Sequence, residues 1–422
     1  MRKSLALVLL GCASLSAQQT PAPTDLLGKP FFVKKSWVIG GEGRWDYVVL
    51  DPVRLQLFIA HGAVVQIVDV SSGTIFGTIS LTQGASGQFR SPIAHLAQGI
   101  ALDDSGAFGY ITDAKEQCVK VFDRSTLEIV ATVPVGVNPR AIVFDPVSRL
   151  VLAASEVPEA KTAAAGSGNR TPAGKQAAKP AASGGVAAQQ AGATVTVIDA
   201  DKHQILANIL LRNRLGFGQG DGNGGVYFAV PAKGTVLRLD AEAIGKQLRN
   251  PSLYVSERES NTPVTLDWAG HESGGGLLRV FGLGPGCVDP NGLAIDELHL
   301  RLFASCAERR MAVVDSLSGQ FVTSLPISFG SSSIAYDAGR GLIYTANASG
   351  NLIIIRRDVN DSYAIVQNLP TAQNAWALAA NPTTGEVYLV TEDYGVDPAK
   401  IGTPNLQIEP QKGSFKVLVV GN

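Results

Sequence analysis

One pattern recurs along most of the chain and restricts the folds that it can form. Each copy has an apolar first strand that ends in an acidic or amide residue, then a second apolar strand and a third strand. Six first strands end in this way, at Asp51, Asp103, Asp145, Asp296, Asp337 and Asn381. The step from Asp103 to Asp145 is 42 residues, and the step from Asp296 to Asp337 is 41. A period in the low forties is typical of a β-propeller blade.

Seven copies of the pattern align, and their count gives the number of blades. They begin at Trp45, Gly99, Ala141, Gly225, Gly292, Ser333 and Trp376. We therefore predict an all-β fold, a seven-bladed β-propeller of four-stranded blades. The last copy stops at its third strand near Asn422, whereas the segment Phe32–Ile39 precedes the first copy without a partner. We expect this N-terminal segment to complete the last blade, because ring closure leaves no free strand edge.

Several segments carry a family resemblance. Gly41–Asp51, Asn138–Asp145, Cys287–Cys306 and the closing Gly413–Val420 are similar to the YVTN-type (YncE-like) bacterial β-propeller repeats of exported proteins. The resemblance covers roughly residues 31–422 apart from two insertions. It implies the propeller fold and assigns no activity, since this fold carries enzymes, scaffolds and binding proteins alike.

The first residues resemble an export signal. Met1–Lys3 is basic, Ser4–Leu10 is apolar, and small residues follow. We expect residues 1–17 to be a signal peptide and the protein to be periplasmic or secreted. A lipobox-like segment ends at Cys12, so a lipid anchor on this residue is an open alternative. Residues 18–30 are predicted to be a flexible linker, and no later stretch is long and apolar enough to be a transmembrane segment.

The propeller of residues 31–422 is interrupted twice. We define the top face as the side where each first strand begins; there the connectors between blades and the loops between second and third strands emerge. Residues 157–192 fall on it and are rich in Ala, Gly, Pro and Lys, so we predict a disordered insertion. Residues 241–276 form a second insertion on the opposite face, in which Val264–Trp268 is a candidate extra strand.

Three cysteines remain beyond the signal sequence. Cys287 precedes the first strand of blade five, and Cys306 ends the second strand. Because these strands are antiparallel neighbours, both residues should lie on the same face, and an exported protein can keep a disulfide between them. Cys118 is then left free. The alternative is three free thiols.

A ligand site is expected at the top of the central channel, where several blades present polar or aromatic side chains on loops held by a rigid scaffold. The candidates for ligand binding are Trp45, Asp46, His61, Gln98, Asp113, Asn138, Arg140, Asn291, Glu308, Asn347, Asn374, Trp376 and Glu392. The aspartates that recur at strand ends are assigned to turns instead, because Asp side chains accept bonds from nearby backbone N–H groups.

The sequence favours a monomeric, non-enzymatic binding or scaffolding protein that takes an unknown protein or small-molecule ligand at the top face. The alternative is a metal-assisted enzyme of lactonase or lyase type, in which Asp46, Asn138, Asn291 and Glu392 hold Ca²⁺ or Mg²⁺ at the channel axis. No other cofactor is implied, and no catalytic residue is assigned. A net charge of −1 disfavours nucleic acid as a partner. Binding of ssDNA or of a cell surface, which has been linked to the YVTN-type family, is the third alternative.

Overall fold

The computed structural model describes residues 28–82, 95–157, 192–250, 252–254, 257, 262–268, 276–396 and 408–422. The predicted signal peptide, the linker up to residue 27 and nearly all of the insertion at 157–192 lie outside these ranges. Strands account for 58% of the structure and helices for 4%, so the fold is all-β. Within the described ranges no helix has the length and apolarity that crossing a bilayer requires.

The chain forms seven blades, named here in chain order. After β1 (Phe32–Val38), blade one contains β2 (Trp45–Asp51), β3 (Gln56–His61), β4 (Val64–Asp69) and β5 (Thr74–Ser80). Blade two contains β6 (Ala97–Leu102), β7 (Phe108–Asp113), β8 (Cys118–Asp123) and β9 (Ile129–Pro134). Blade three contains β10 (Val137–Asp145), β11 (Leu150–Val157), β12 (Gly192–Asp199) and β13 (Gln204–Leu211).

The remaining blades follow the same order of strands. Blade four contains β14 (Gly218–Gly220), β15 (Gly225–Val230), β16 (Thr235–Asp240) and, after helix α1 (Ala241–Arg249) and strand β17 (Val264–Asp267), β18 (Leu278–Gly282). Blade five contains β19 (Pro290–Asp296), β20 (Arg301–Cys306), β21 (Arg310–Asp315) and β22 (Phe321–Pro326). Blade six contains β23 (Ser331–Asp337), β24 (Leu342–Asn347), β25 (Asn351–Arg357) and β26 (Tyr363–Pro370). Blade seven contains β27 (Ala377–Ala380), β28 (Val387–Thr391), β31 (Lys416–Gly421) and β1, with the hairpin β29 (Tyr394–Val396) and β30 (Ile408–Pro410) above it.

The blades pack face to face, which explains why the second strands are apolar at nearly every position. In β3, Leu57 and Ile59 pack against blade seven, whereas Phe58 and Ala60 pack against blade two. Successive side chains of a strand point to opposite faces, so a strand buried on both faces loses the usual alternation of apolar and polar residues. The core is therefore a ring of interfaces between blades.

The recurring aspartates at strand ends hold turns, as the sequence predicts. The Asp51 carboxylate accepts bonds from Val53 N at 3.0 Å and Arg54 N at 3.1 Å. Asn381 takes the same part in blade seven, where its Oδ1 accepts a bond from Thr383 N at 2.9 Å. These side chains stabilise the turns between first and second strands, on the face opposite the top.

Ring closure by the N-terminal segment is confirmed. β1 pairs antiparallel with β31 from Phe32 opposite Gly421 to Val38 opposite Lys416. Just before this strand, Phe31 is 2% exposed, and its ring meets that of Tyr344 in blade six at 5.9 Å. The first described strand thus fastens the two ends of the ring.

We predict that the closing strand carries much of the stability. Deletion of residues 31–39 should lower the melting temperature sharply, because β31 would expose unpaired N–H and C=O groups. Phe31→Ala alone should destabilise by about 3–5 kcal/mol, as expected for a buried Phe. Its control is Phe32→Ala, since Phe32 is 54% exposed and its loss should cost little. Equal melting temperatures for the two alanine variants would contradict this assignment.

The second insertion contains the expected extra strand, but the strand joins a different blade. β17 pairs in parallel with β13, with Ala207 opposite Val264 and Leu210 opposite Asp267. It is the fifth, outermost strand of blade three. Helix α1 begins directly after β16 and is capped by Asp240, whose carboxylate accepts a bond from Ala243 N at 2.9 Å. The insertion therefore connects blades three and four.

A disulfide links Cys287 and Cys306 at the top of blade five. Their Cα atoms are 5.2 Å apart, within the range that a disulfide requires. Cys118 is free and buried, and burial raises the pKa of its thiol to about 12. Because the thiolate is the reactive form, this thiol should be inert in the folded protein.

The stabilisation that the disulfide provides can be predicted from the length of the loop that it closes. It closes a separation of 19 residues, for which loop-closure entropy gives about 3 kcal/mol of stabilisation. A reductant should therefore lower the melting temperature of the wild type and of Cys118→Ala, but not that of the double variant Cys287→Ala/Cys306→Ala. In protein that begins after residue 17, thiol titration should find one thiol after unfolding without reductant. Three thiols under those conditions would exclude the bridge.

Candidate functional site

Two adjoining cavities lie at the centre and the top of the ring. The channel cavity, about 470 Å³, is lined by inner strands, with Asp46 and Trp376 among its residues. The mouth pocket, about 440 Å³, lies between blades seven and one and is lined by Gly43, Arg44, Trp45, Asn374, Trp376, Glu392, Tyr394 and Pro410. Trp376 lines both cavities, and Trp45 and Asp46 are neighbours in β2. The two cavities therefore form one composite site.

An aromatic pair bounds the channel cavity. Phe217 of blade four stacks on Tyr47 of blade one, with ring centroids 4.7 Å apart and planes 15° from parallel. Blades one and four are not neighbours in the ring, so this contact crosses the central axis. Small residues on the inner strands of blades six and seven, such as Ser333 and Ala377, leave the remaining space beside it.

Asp46 contributes a carboxyl group to the channel cavity. Burial raises its pKa from the ordinary 3.8 to about 6, although the charges of Arg140 and Arg44 oppose the shift. The nearest contact is with Arg140 of β10, whose Nη2 lies 3.6 Å from Asp46 Oδ2. Two residues from different blades, both predicted from the sequence, are thus brought together. A carboxyl with a strongly perturbed pKa inside a cleft is typical of a functional site.

The pKa of Asp46 predicts a pH dependence of stability. Between about pH 4 and pH 6 the folded protein keeps this proton while the unfolded chain has lost it, so the free energy of unfolding falls as pH rises through this window. The side chain is 22% exposed, and solvent screening reduces the expected change to about 1–2 kcal/mol. Asp46→Asn should remove this component.

Denaturant unfolding of the wild type and of Asp46→Asn at several pH values between 4 and 7 measures the contribution of Asp46. The difference between their free energies of unfolding isolates it, because the other titrating groups cancel. Asp69→Asn is the control: bonds from Ser72 and Ser71 lower the pKa of Asp69, so its contribution is lost only on acidification below about pH 4, and this variant should run nearly parallel to the wild type over the measured range. A wild-type curve parallel to that of Asp46→Asn would contradict the assignment.

Stacked indole rings form the wall of the mouth pocket. Trp45 and Trp376 have centroids 6.2 Å apart and planes 17° from parallel. Phe415 packs on Trp45 at 5.3 Å, so Trp45 is only 6% exposed. Trp376 keeps part of its surface exposed. Trp45 therefore acts as a rigid support, and Trp376 offers the accessible aromatic surface.

A polar network occupies the opposite side of the mouth pocket. The side chains of Glu392 and Asn374 lie beside Tyr394, and both act on the pKa of its hydroxyl. Burial raises the pKa of Glu392, and the bond from Tyr394 opposes this shift. Asn374 has φ +60°, a left-handed conformation that Asn tolerates better than most residues. This backbone conformation directs the Asn374 amide toward Tyr394.

The structure separates several other predicted residues from these cavities. His61 is 1% exposed, and its ring nitrogens bind Gln66 Oε1 at 2.8 Å and Gly43 O at 3.1 Å. Asn138 Nδ2 donates to Glu156 at 3.1 Å. Asn347 is buried and donates to the carbonyl of Thr345. Each of these side chains is held in a local network of its own.

The last four predicted residues also lie outside the linings of both cavities. Asp113 is buried and bonded to His95 Nδ1 at 2.6 Å. Gln98 is partly buried, with no partner described for its buried Oε1. Asn291 and Glu308 are exposed.

One group of metal-ligand type is found within the described ranges, formed by His95, Asp113 and Glu116. Lys120 Nζ lies 2.6 Å from Glu116 Oε2 and supplies the positive charge that a metal would bring. We interpret this group as a buried ion-pair network. Of the four predicted oxygen ligands, Asp46 faces Arg140, and Asn138 is bonded to Glu156.

Sequence reasoning missed Arg44 and Tyr394 in the mouth pocket and Phe217 in the channel. Arg44 was detectable as the neighbour of Trp45 at the start of a first strand. Tyr394 lies in the long loop between the second and third strands of blade seven, outside the repeated pattern. Phe217 precedes the shortest inner strand, in the most degenerate copy, so no repeat position marked it.

Comparisons with known proteins support the fold alone. No protein-family model matches the chain, and no curated protein matches it significantly. Among solved structures, the WD40 repeats of RRP9 align with a TM-score of 0.61 and 10% identity over 91% of this chain and 96% of that one. The structure of U3-55K aligns with a TM-score of 0.60 and 10% identity over 90% and 97%. These likenesses establish a β-propeller. Membership of the YVTN-type family remains a prediction.

Proposed function

We propose that this protein is an exported, non-enzymatic binding module that takes a protein or small-molecule ligand at the composite site on its top face. The observation that carries the proposal is that predicted residues from different strands line the same pocket. Four predicted residues, contributed by β2 and by segments flanking β27 and β28, line one pocket: Trp45, Asn374, Trp376 and Glu392. A fifth, Asp46, lines the adjoining cavity and faces the predicted residue Arg140.

The size and chemistry of the mouth pocket support binding. Its volume of about 440 Å³ falls within the range of ligand sites, about 300–1,000 Å³. Trp, Tyr and Arg are the residues most enriched at the energetic centres of interfaces, and all three line this pocket. Rigid blades hold them, so little conformational entropy is lost on binding.

The residues that line the two cavities argue for binding over catalysis. Neither lining contains an imidazole or a thiol among the described residues, so acid–base chemistry there would fall to Glu392 and to Asp46, which already faces Arg140. The metal-assisted lactonase or lyase alternative needs four oxygen ligands around one ion. Two of them, Asp46 and Asn138, already have protein partners.

A ligand screen with matched variants tests this function. The probes are an array of random 12-residue peptides and an array of glycans and small metabolites. We expect at least one class of hits whose binding is lost in Trp376→Ala and retained in Phe329→Ala. Phe329 is a 59% exposed aromatic residue in the connector between blades five and six, on the same face but outside the pocket.

Hits that bind both variants as well as the wild type would place recognition elsewhere. No hit at all, or turnover of an ester or lactone in the metabolite array, would contradict the proposal.

A further inference from the structure

The charges around the composite site are unevenly paired. Burial raises the pKa of Asp46, and the charges of Arg140 and Arg44 both oppose that rise, so the positive charges at the mouth are directed to that carboxylate. Glu392 has no such partner: within the described residues no Lys or Arg forms an ion pair with it, and burial raises its pKa against an opposing contribution from Tyr394. The adjacent Asp393 differs, because Lys416 Nζ lies 2.5 Å from its carboxylate.

A partly buried carboxylate without a counter-ion is unfavourable, because desolvation is not offset by an opposite charge. In the mouth pocket this carboxylate shares a cavity with the exposed part of Trp376 and with Tyr394. Aromatic faces attract cations through the ring quadrupole, and Trp does so most strongly. A positively charged group would thus gain from both sides of the same pocket.

We propose that the mouth pocket binds an organic cation, the ammonium or guanidinium group of a ligand, with Glu392 as its counter-ion and Trp376 as its aromatic wall. This inference rests on the proposed binding function and names the chemistry of its ligand. Tyr394 acts as a positioning residue, because it interacts with the Glu392 carboxylate, and Asn374 supports it by interacting with Tyr394.

Other ligand charges fit the pocket less well. An anion would be placed beside Glu392 and repelled by it. A neutral ligand would displace water from the carboxylate without replacing the lost solvation. Arg44 lies at the exposed rim and acts on Asp46, so it leaves the charge of Glu392 uncompensated.

The probes are pairs that differ in charge and keep their shape. Choline is compared with its neutral carbon analogue 3,3-dimethylbutan-1-ol. Capped tripeptides with a central Lys or Arg are compared with the same peptide carrying norleucine. Binding is followed by the indole N–H signals in NMR spectra of the intact protein, in which Trp45 and Trp376 report on the pocket. Trp37 and Trp268, which lie on blade seven's outer strand and beside blade three, serve as internal controls.

We expect the cations to shift the signals of Trp45 and Trp376 at concentrations at least ten-fold lower than their neutral analogues do. Glu392→Gln should abolish this preference. Asp393→Asn removes an equal charge one residue away and should keep it. A stronger response to the Lys or Arg peptide than to choline would identify a polypeptide as the source of the cation, and the reverse would identify a small molecule.

Two results would overturn the inference. If the neutral analogues bind as tightly as the cations, the pocket is a binding site of another chemistry, and the proposed function stands. If no probe shifts the signals of Trp45 and Trp376 at millimolar concentration, the cation site is excluded, and the peptide and metabolite arrays decide the proposed function independently. A preference for cations that persists in Glu392→Gln would also exclude the assigned counter-ion.

Discussion

Backbone hydrogen bonds between the two ends of the chain hold the ring closed. β1 completes blade seven by pairing with β31, and every other interface between blades depends on that closure, since each blade is covered only by its two neighbours. Without it, the sheets flanking the gap would lose a packing partner. Phe31 extends the closure into blade six, where its backbone exchanges bonds with the Gln367 side chain at 2.8 and 2.7 Å.

The repeat made most of this architecture predictable. A first strand ending in Asp, followed by an apolar second strand, recurs because every blade has the same two requirements. Its first turn is stabilised by a side-chain carboxylate, and its second strand is buried on both faces. Ring closure followed from counting strands at the two ends. The partner of β17 was not predictable, because parallel addition to β13 depends on where a non-repeated insertion leads the chain.

The site was predictable in part for the same reason. Trp45, Asp46 and Trp376 stand at the starts of first strands, so their repeat positions direct them to the channel mouth. Repeat position does not specify whether a side chain is already satisfied. His61 ends a second strand on the same face, but both of its ring nitrogens are hydrogen-bonded, to Gln66 and to Gly43. Such local bonding depends on neighbours in space. Tyr394 belongs to the long loop between the second and third strands of blade seven, which lies outside the repeated pattern.

The strand that blade four lends to blade three has a mechanical consequence. After α1 the chain forms β17, which pairs along the outer edge of β13 in blade three. It then returns to form β18, the outer strand of blade four. Blades three and four are therefore strapped together at their rims as well as packed at their faces. A propeller that is pulled apart opens at its weakest interface between blades. Because of this strap, we do not expect the interface between blades three and four to be the one that opens first.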